Sequence, residues 1–189
     1  MKFVVARYQE NLDWTNGLSD CIIYNKGSDA PNSKHQYITL PNIGREGHTY
    51  LHHIIQNYDQ LDEYTCFLQG YPFDHSPDLA KRILEFPVPP PPFLFVSNRL
   101  YTVNLSYDPT DTSLHSLLIS TYEKIFGTRK TDHNFTFGAG AQFIVSRDAI
   151  RSRPKSFYEN MLPLLDHHIN PPEGFVVERF WGMIFTGAE

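Results

Sequence analysis

Cysteine, basic charge, long apolar runs and internal repeats are all scarce in this chain, and each scarcity removes a class of protein. Only two of the 189 residues are cysteine, Cys21 and Cys66. Both fall inside apolar runs, which makes them small buried hydrophobes and argues against a disulfide framework. The formal net charge is −5, so no broad cationic face neutralises a phosphate backbone. Nucleic acid is therefore excluded as the main partner, although a local pocket for one nucleotide is not. No stretch approaches the ~20 apolar residues of a membrane span, and the apolar run in MKFVVARYQ is too short for a signal peptide. The chain is accordingly read as soluble and cytoplasmic. No repeat divides it, and its length fits one domain, 1–189, with one substantial core.

What the chain does have is apolar and aromatic bulk: 41% hydrophobic residues, with 14 Phe and 11 Tyr. That is the composition of a folded globular protein. Lys2 to Ala6, Cys21 to Tyr24, Tyr37 to Leu40 and Thr65 to Leu68 read as strands, with the first, second and fourth side by side in one mostly parallel sheet. Tyr50, Leu51, Ile54, Ile55, Tyr58 and Leu61 recur at helical spacing, which predicts a helix over Glu46 to Asn57 packed on that sheet. This succession argues for an α/β fold. A short helix is expected from Ser76 to Leu84. EFPVPPPPF, 85–93, is a stiff connector, since consecutive prolines join neither ladder nor helix. Phe93 to Ser97 and Tyr101 to Leu105 are expected to form a hairpin around Asn98 and Arg99. Further helices are expected over Ser113 to Phe126, stopped by Gly127, over Ile150 to Leu165 with prolines at 154 and 163, and over Phe175 to Phe185. In Phe135 to Val145, small residues precede a strand and leave room for a ligand or another backbone.

The stretch Tyr64 to Asp78 is the centre of the functional reading. TCFL ends in Gly70, Pro72, Asp74 and His75, which a strand would deliver to the carboxyl edge of a sheet, where open α/β sheets bind ligands. The plain alternative is a turn at Gly70 and Pro72 with Asp74 capping the next helix. Arg45, at a helix start, offers an anion a fork of donors beside helix amides; pairing with Glu46 or Asp74 is the alternative. His48 and His52 share a helix face and raise a two-histidine metal site, with His53 about a hundred degrees round from His52; the alternative is one or two site-facing histidines and one surface histidine, the role left for His53. Glu178 and Arg179 interrupt the apolar segment FVVERFWGMIF. A buried carboxylate there either lines a cavity or pairs with Arg179 or Arg7.

Taken in order, ARYQENLDW, IYNKG, LPNIGREGHTYLHHII, FLQGYPFDHS, GAGAQFIVSRDAIRSRPKSFYENML and GFVVERFWGMIF resemble an uncharacterised family, domain of unknown function 3431. That family is in turn similar to compact GT-A glycosyltransferases. The resemblance implies a single-domain GT-A-like fold, with a mixed, mostly parallel sheet flanked by helices. It implies transfer of a sugar from a nucleotide-sugar donor to a hydroxyl on a glycan or glycoprotein. Ala6, Arg7, Tyr8 and Glu10 would then meet the base and ribose, with Asn25 and Lys26 nearby. Where the GT-A pattern carries its DxD metal motif this chain has Gln69, Gly70 and Tyr71. Asp74 and His75 would substitute as ligands for Mn or Mg, or Arg45 and Lys26 would hold the diphosphate without a metal. GAGAQF, with Gln142, would shape the acceptor side. Glu178 would be the catalytic base, with Asp74 and Glu173 in reserve, because an acceptor hydroxyl is a poor nucleophile until its proton is taken. Two rival readings stand beside it: a metal-dependent hydrolase using His48, His52, Asp74 and His75, and a catalytically silent carbohydrate-binding protein on the same fold.

Overall fold

The computed structural model describes all residues, Met1 to Glu189. Six strands make the central sheet: β1 (Lys2–Arg7), β2 (Cys21–Asn25), β3 (Gln36–Thr39), β4 (Tyr64–Gln69), β5 (Phe93–Phe95) and β8 (Phe143–Ser146), in the order β3-β2-β1-β4-β8-β5. β1, β2, β3 and β4 are parallel neighbours, and β8 runs antiparallel between β4 and β5. The expected side-by-side placement of the first, second and fourth strands is what the sheet contains.

Strand side chains alternate between two cores because successive residues point to opposite faces. Val4, Phe67, Phe143 and Val145 join the larger core with Tyr50, Leu51, Trp181 and Phe185. Phe3, Val5, Cys66, Leu68 and Ile144 fall on the other face with Leu12, Leu18 and Leu79. Covering both faces is what lets the parallel strands read as unbroken apolar runs. Helices α1 (Arg45–Asn57), α5 (Lys155–Met161) and α6 (Pro172–Thr186) line the larger core, where the Trp181 and Phe185 rings stack 5.7 Å apart. α2 (Leu79–Glu85) covers the smaller one through Leu79. α3 (His115–Phe126) ends at Gly127 in the left-handed region, as its glycine stop requires.

The expected hairpin between 93 and 105 does not form. β5 pairs with β8, whereas β6 (Leu100–Asn104) pairs with β7 (Asn134–Gly138) in a separate two-stranded sheet. Asn98 still sits in a turn, but its N–H is tied to the His75 carbonyl at 2.8 Å, and the chain leaves the main sheet there. Phe135 to Val145 likewise divides, β7 and β8 lying in different sheets. The helix expected from 150 to 165 is broken into α4 (Arg147–Arg151), α5 and a 3-10 turn at Leu162–Leu164. Pro154 has no N–H and biases Arg153 toward extended backbone, which separates α4 from α5. The proline stretch is a connector anchored at two points: Tyr64 Oη donates to the Pro90 carbonyl and Ser146 N to that of Pro92, each at 2.8 Å.

Candidate functional site

The chain leaves the carboxyl end of β1 toward β2 and β3, and that of β4 toward β8 and β5 on the other side. Adjacent parallel strands whose continuations diverge leave a crevice between them, the place where open α/β sheets bind ligands. A cleft of about 600 Å³ occupies this position. Ala6 and Arg7 of β1 line it with Gln69 and Gly70 of β4, Ala6 lying opposite Gln69 in the ladder.

The loops after β1 and β2 are tied together by Arg7, which is buried. Its guanidinium donates to Asn25 Oδ1 at 2.7 Å, Asp29 Oδ2 at 2.6 Å and the Glu10 carbonyl at 3.0 Å. The Arg7 hydrogen bond also holds the Asp29 carboxyl below the usual carboxylate range. Arg7 is thus a structural tie whose donors are engaged. Asn25, also expected at the ligand, is buried beneath it and binds the Gly27 and Asp29 carbonyls, outside the cleft. Glu10 folds its own loop by accepting from Tyr8 N at 2.6 Å and Gln9 N at 3.1 Å. Gly27 is required for the approach of these loops: a Cβ there would lie 1.7 Å from the Tyr8 carbonyl oxygen.

Lys26 lines the cleft and is buried, with Nζ donating to the carbonyls of Ile43, at 2.6 Å, and Arg45. Burial lowers its pKa to about 8. It braces the start of α1, where Gly44 and Arg45 both have positive φ, 64° and 52°. Arg45 emerges from this turn with its guanidinium 4.1 Å from the Phe175 ring centre, donates Nη1 to Asn170 Oδ1 at 3.2 Å and keeps Nε 3.7 Å from Glu46. Its Nε is buried and has no hydrogen-bond partner. Nη2 makes no hydrogen bond, so Arg45 is the cation of the cleft with donor capacity left. Tyr8, Tyr71 and Asp74 are exposed residues along its margin. Asp74 lies in a 3-10 turn, Pro72–Asp74, and does not cap α2, whose N-cap position is Asp78.

A smaller lobe, about 310 Å³, adjoins the first and shares Arg45 and Gln69 with it. Glu178 lines this lobe, half-buried on α6, its Oε1 accepting the Gly140 N–H at 2.6 Å. Burial and the negative charge of Glu46 raise its pKa to about 7, against the Gly140 N–H and the charges of Arg179 and Arg45. Glu178 pairs with neither Arg179 nor Arg7. Arg179 instead reaches Asp108, Nε to Oδ2 2.5 Å, and Thr110 Oγ1 at 3.1 Å. The sequence reading missed Asp108, whose turn Tyr-Asp-Pro-Thr-Asp carries no periodic signal and lies 71 residues before its partner. It also did not place Glu46 and Asn170 in the larger lobe, or Tyr101 and Asp111 in the smaller one.

His75 lines the smaller lobe against Gly140, where an added Cβ would fall 2.5 Å from its ring. Burial and the charge of Arg99 lower its pKa, and its buried Nδ1 has no partner. Gln142 is fully buried and lines neither lobe; its Nε2 donates to the Pro72 carbonyl at 2.9 Å and so holds the 72–74 turn. Glu173 also lies outside both lobes, 3.8 Å from His167 Nε2.

Asp74 and His75 face different lobes, and no group of three or more His, Cys, Asp or Glu side chains is placed to hold a metal ion. The donor set thus does not fit a metal held by the protein alone. His48 and His52 stack 6.4 Å apart but line neither lobe. His53 is not a surface residue. It is buried between Tyr24 and Phe67, its Nδ1 3.0 Å from Tyr24 Oη, because the sheet covers more of α1 than its apolar residues alone mark out. Burial brings the pKa values of both His48 and His53 to about 4.

A family model described as "Protein of unknown function (DUF3431)" matches residues 3–82 and 99–189, and the chain belongs to that family. The match skips 83–98, which contains the proline connector. No curated protein and no solved structure matches the chain. No helix is long and apolar enough to cross a membrane.

Proposed function

We propose that this member of the DUF3431 family is a glycosyltransferase with a GT-A-like fold, moving a sugar from a nucleotide-sugar donor to a hydroxyl acceptor on a glycan or glycoprotein. The observation that carries the reading is Glu178: a half-buried carboxylate raised to about 7, in a lobe that opens beside a larger cleft through Arg45 and Gln69. Two ligands meeting at a boundary, with a base on one side and a cation between them, is the arrangement group transfer needs.

The larger lobe has the size of a small-molecule site, within the usual ~300–1,000 Å³, and lies at the sheet's switch point. It takes the nucleotide diphosphate, with the terminal nitrogens of Arg45 and the first amides of α1 toward the phosphates. Lys26 contributes by fixing Arg45 rather than by touching the ligand. In the transfer step, Glu178 accepts the acceptor hydroxyl proton as that oxygen bonds the anomeric carbon and the bond to the diphosphate oxygen breaks. The negative charge that develops on the leaving diphosphate is met by Arg45. The protein side chains alone do not assemble a site for a divalent cation.

The hydrolase reading is disfavoured because His48 and His52 line neither of the lobes that Asp74 and His75 line. A silent carbohydrate-binding protein would share the geometry and differ in turnover. A thermal-shift panel of UDP, GDP and their sugars, each with and without manganese, tests the assignment. Stabilisation by at least one nucleotide diphosphate is expected. Stabilisation by zinc alone would favour the hydrolase, and nucleotide-sugar binding without release of nucleotide diphosphate the silent protein.

A further inference from the structure

We infer that the smaller lobe is a subsite for a neutral pyranose, seated on Tyr101, so that the acceptor is a sugar ring rather than a serine or threonine side chain. The inference rests on the transferase reading for the role of Glu178, but the shape and charge of the lobe carry it separately. At about 310 Å³ the lobe sits at the lower end of small-molecule sites, ~300–1,000 Å³. It has room for one ring.

Its deep cation is already paired, and one acidic oxygen is already bonded. Arg179 is neutralised by Asp108 at 2.5 Å, and Asp111 Oδ1 accepts from Ser113 N and Oγ at 3.1 and 2.6 Å. Arg45 stands at the boundary with the larger lobe, where the diphosphate claims it, so the smaller lobe keeps no cation of its own for an anionic ligand. A neutral, hydroxyl-rich ligand matches what is left: the Glu178 carboxylate and the Gln69 amide.

The aromatic lining separates a ring from a peptide. A pyranose has an apolar C–H face and a hydroxyl edge, so it needs a firm aromatic surface next to hydrogen-bonding groups. Phe175 is already covered by Arg45. Tyr101 is 38% exposed and packs on the buried Phe137 ring at 5.5 Å, which in turn carries the Arg179 guanidinium at 4.8 Å. Tyr101 is thus held from behind and open in front. A serine or threonine side chain has no ring face to lay on Tyr101 and would leave that surface uncovered.

The test is saturation-transfer NMR on the whole chain with methyl glucoside, methyl galactoside and methyl mannoside at millimolar concentration, with N-acetyl-threonine amide and glycerol as comparisons. UDP and GDP are titrated into the same samples. At least one glycoside should show ring-proton saturation that falls fivefold or more in Tyr101→Ala, while Tm and nucleotide affinity hold. Binding of nucleotide with no glycoside saturation, saturation of threonine amide or glycerol equal to that of the glycosides, or a signal unchanged in Tyr101→Ala would overturn the subsite. Glycoside binding that depends on Tyr101, with no nucleotide bound, would leave the subsite standing and remove the transferase.

Discussion

Arg179 and Glu178 are consecutive on α6 and turn to different partners: the guanidinium to Asp108 at 2.5 Å, the carboxylate to the Gly140 N–H at 2.6 Å. A carboxylate without its own cation, in a half-buried lobe, keeps a proton more readily than one in a salt bridge. The separation decides what happens when either residue is changed.

Glu178→Gln keeps the size of the side chain and an oxygen for Gly140, and strands no cation. Turnover should drop by about 10²-fold or more, with Tm and nucleotide affinity held. Release of nucleotide diphosphate measured beside a melting curve checks both parts. An early-melting variant whose folded fraction is fully active would end the role assigned to Glu178.

With a folded-state pKa of about 7, Glu178 is mostly protonated at pH 6 and mostly ionised at pH 8. A base must be ionised to act, so the rate should rise across this interval and level off above it. The rising limb should be missing from whatever residual activity Glu178→Gln retains. A pH–rate profile of both proteins is the measurement.

Asp108→Ala leaves Arg179 buried without its carboxylate. Removing one partner of a buried pair costs about 3–5 kcal/mol, so the urea midpoint should fall sharply. Asp108 accepts from Thr110 as well, and these bonds hold its carboxyl below the usual range despite burial. Asp108→Asn, which keeps an acceptor oxygen, should lose less.

His53 has a folded pKa of about 4 against an ordinary 6.5. Between those values the unfolded chain binds more protons than the folded one, so this group's contribution to stability rises with pH there and is lost on acidification through the same window. Urea midpoints at pH 4.5 and 7 should differ more in the natural chain than in His53→Phe. Equal slopes would remove His53 as a source of acid sensitivity.

Gly27→Ala puts a methyl group on the Tyr8 carbonyl, so the loops after β1 and β2 must part. A loss of about 1–3 kcal/mol is expected, as for overpacking elsewhere. Nucleotide affinity should fall with it, since both loops border the larger lobe. Melting temperature and calorimetric titration with UDP and GDP measure the two effects.

Period and punctuation made the sheet's first four strands, α1 and α6 legible in the sequence, because each buries a repeating face or a continuous apolar run. The same rules misjudged 93–105, where both strands exist but take partners far along the chain. Strand partners are chosen by the packing of the whole molecule, which local pattern does not encode. The site was legible to the same depth. Ala6, Arg45, Gln69 and Asp74 follow from strand ends and a helix start, whereas the pairing of Asp108 with Arg179 and the burial of Gln142 and His53 depend on distant segments meeting. Lys26 shows the limit most plainly: its position at a strand end suited a phosphate ligand, and two nearby carbonyls claim it instead.

Apart from Ile169 and Asn170, the larger lobe comes from residues before the proline connector; Glu178 comes after it. Within the sheet these two stretches of chain join where β4 meets β8, with Tyr64 opposite Ser146 and Phe67 opposite Phe143. That seam works as a ruler between the larger lobe and Glu178. A slip of two residues keeps every side chain on its proper face, yet it displaces one stretch against the other by about 7 Å. Phe67 and Phe143, whose rings pack 5.2 Å apart in the larger core, lie on that seam, so the distance between the two stretches is held from inside the core.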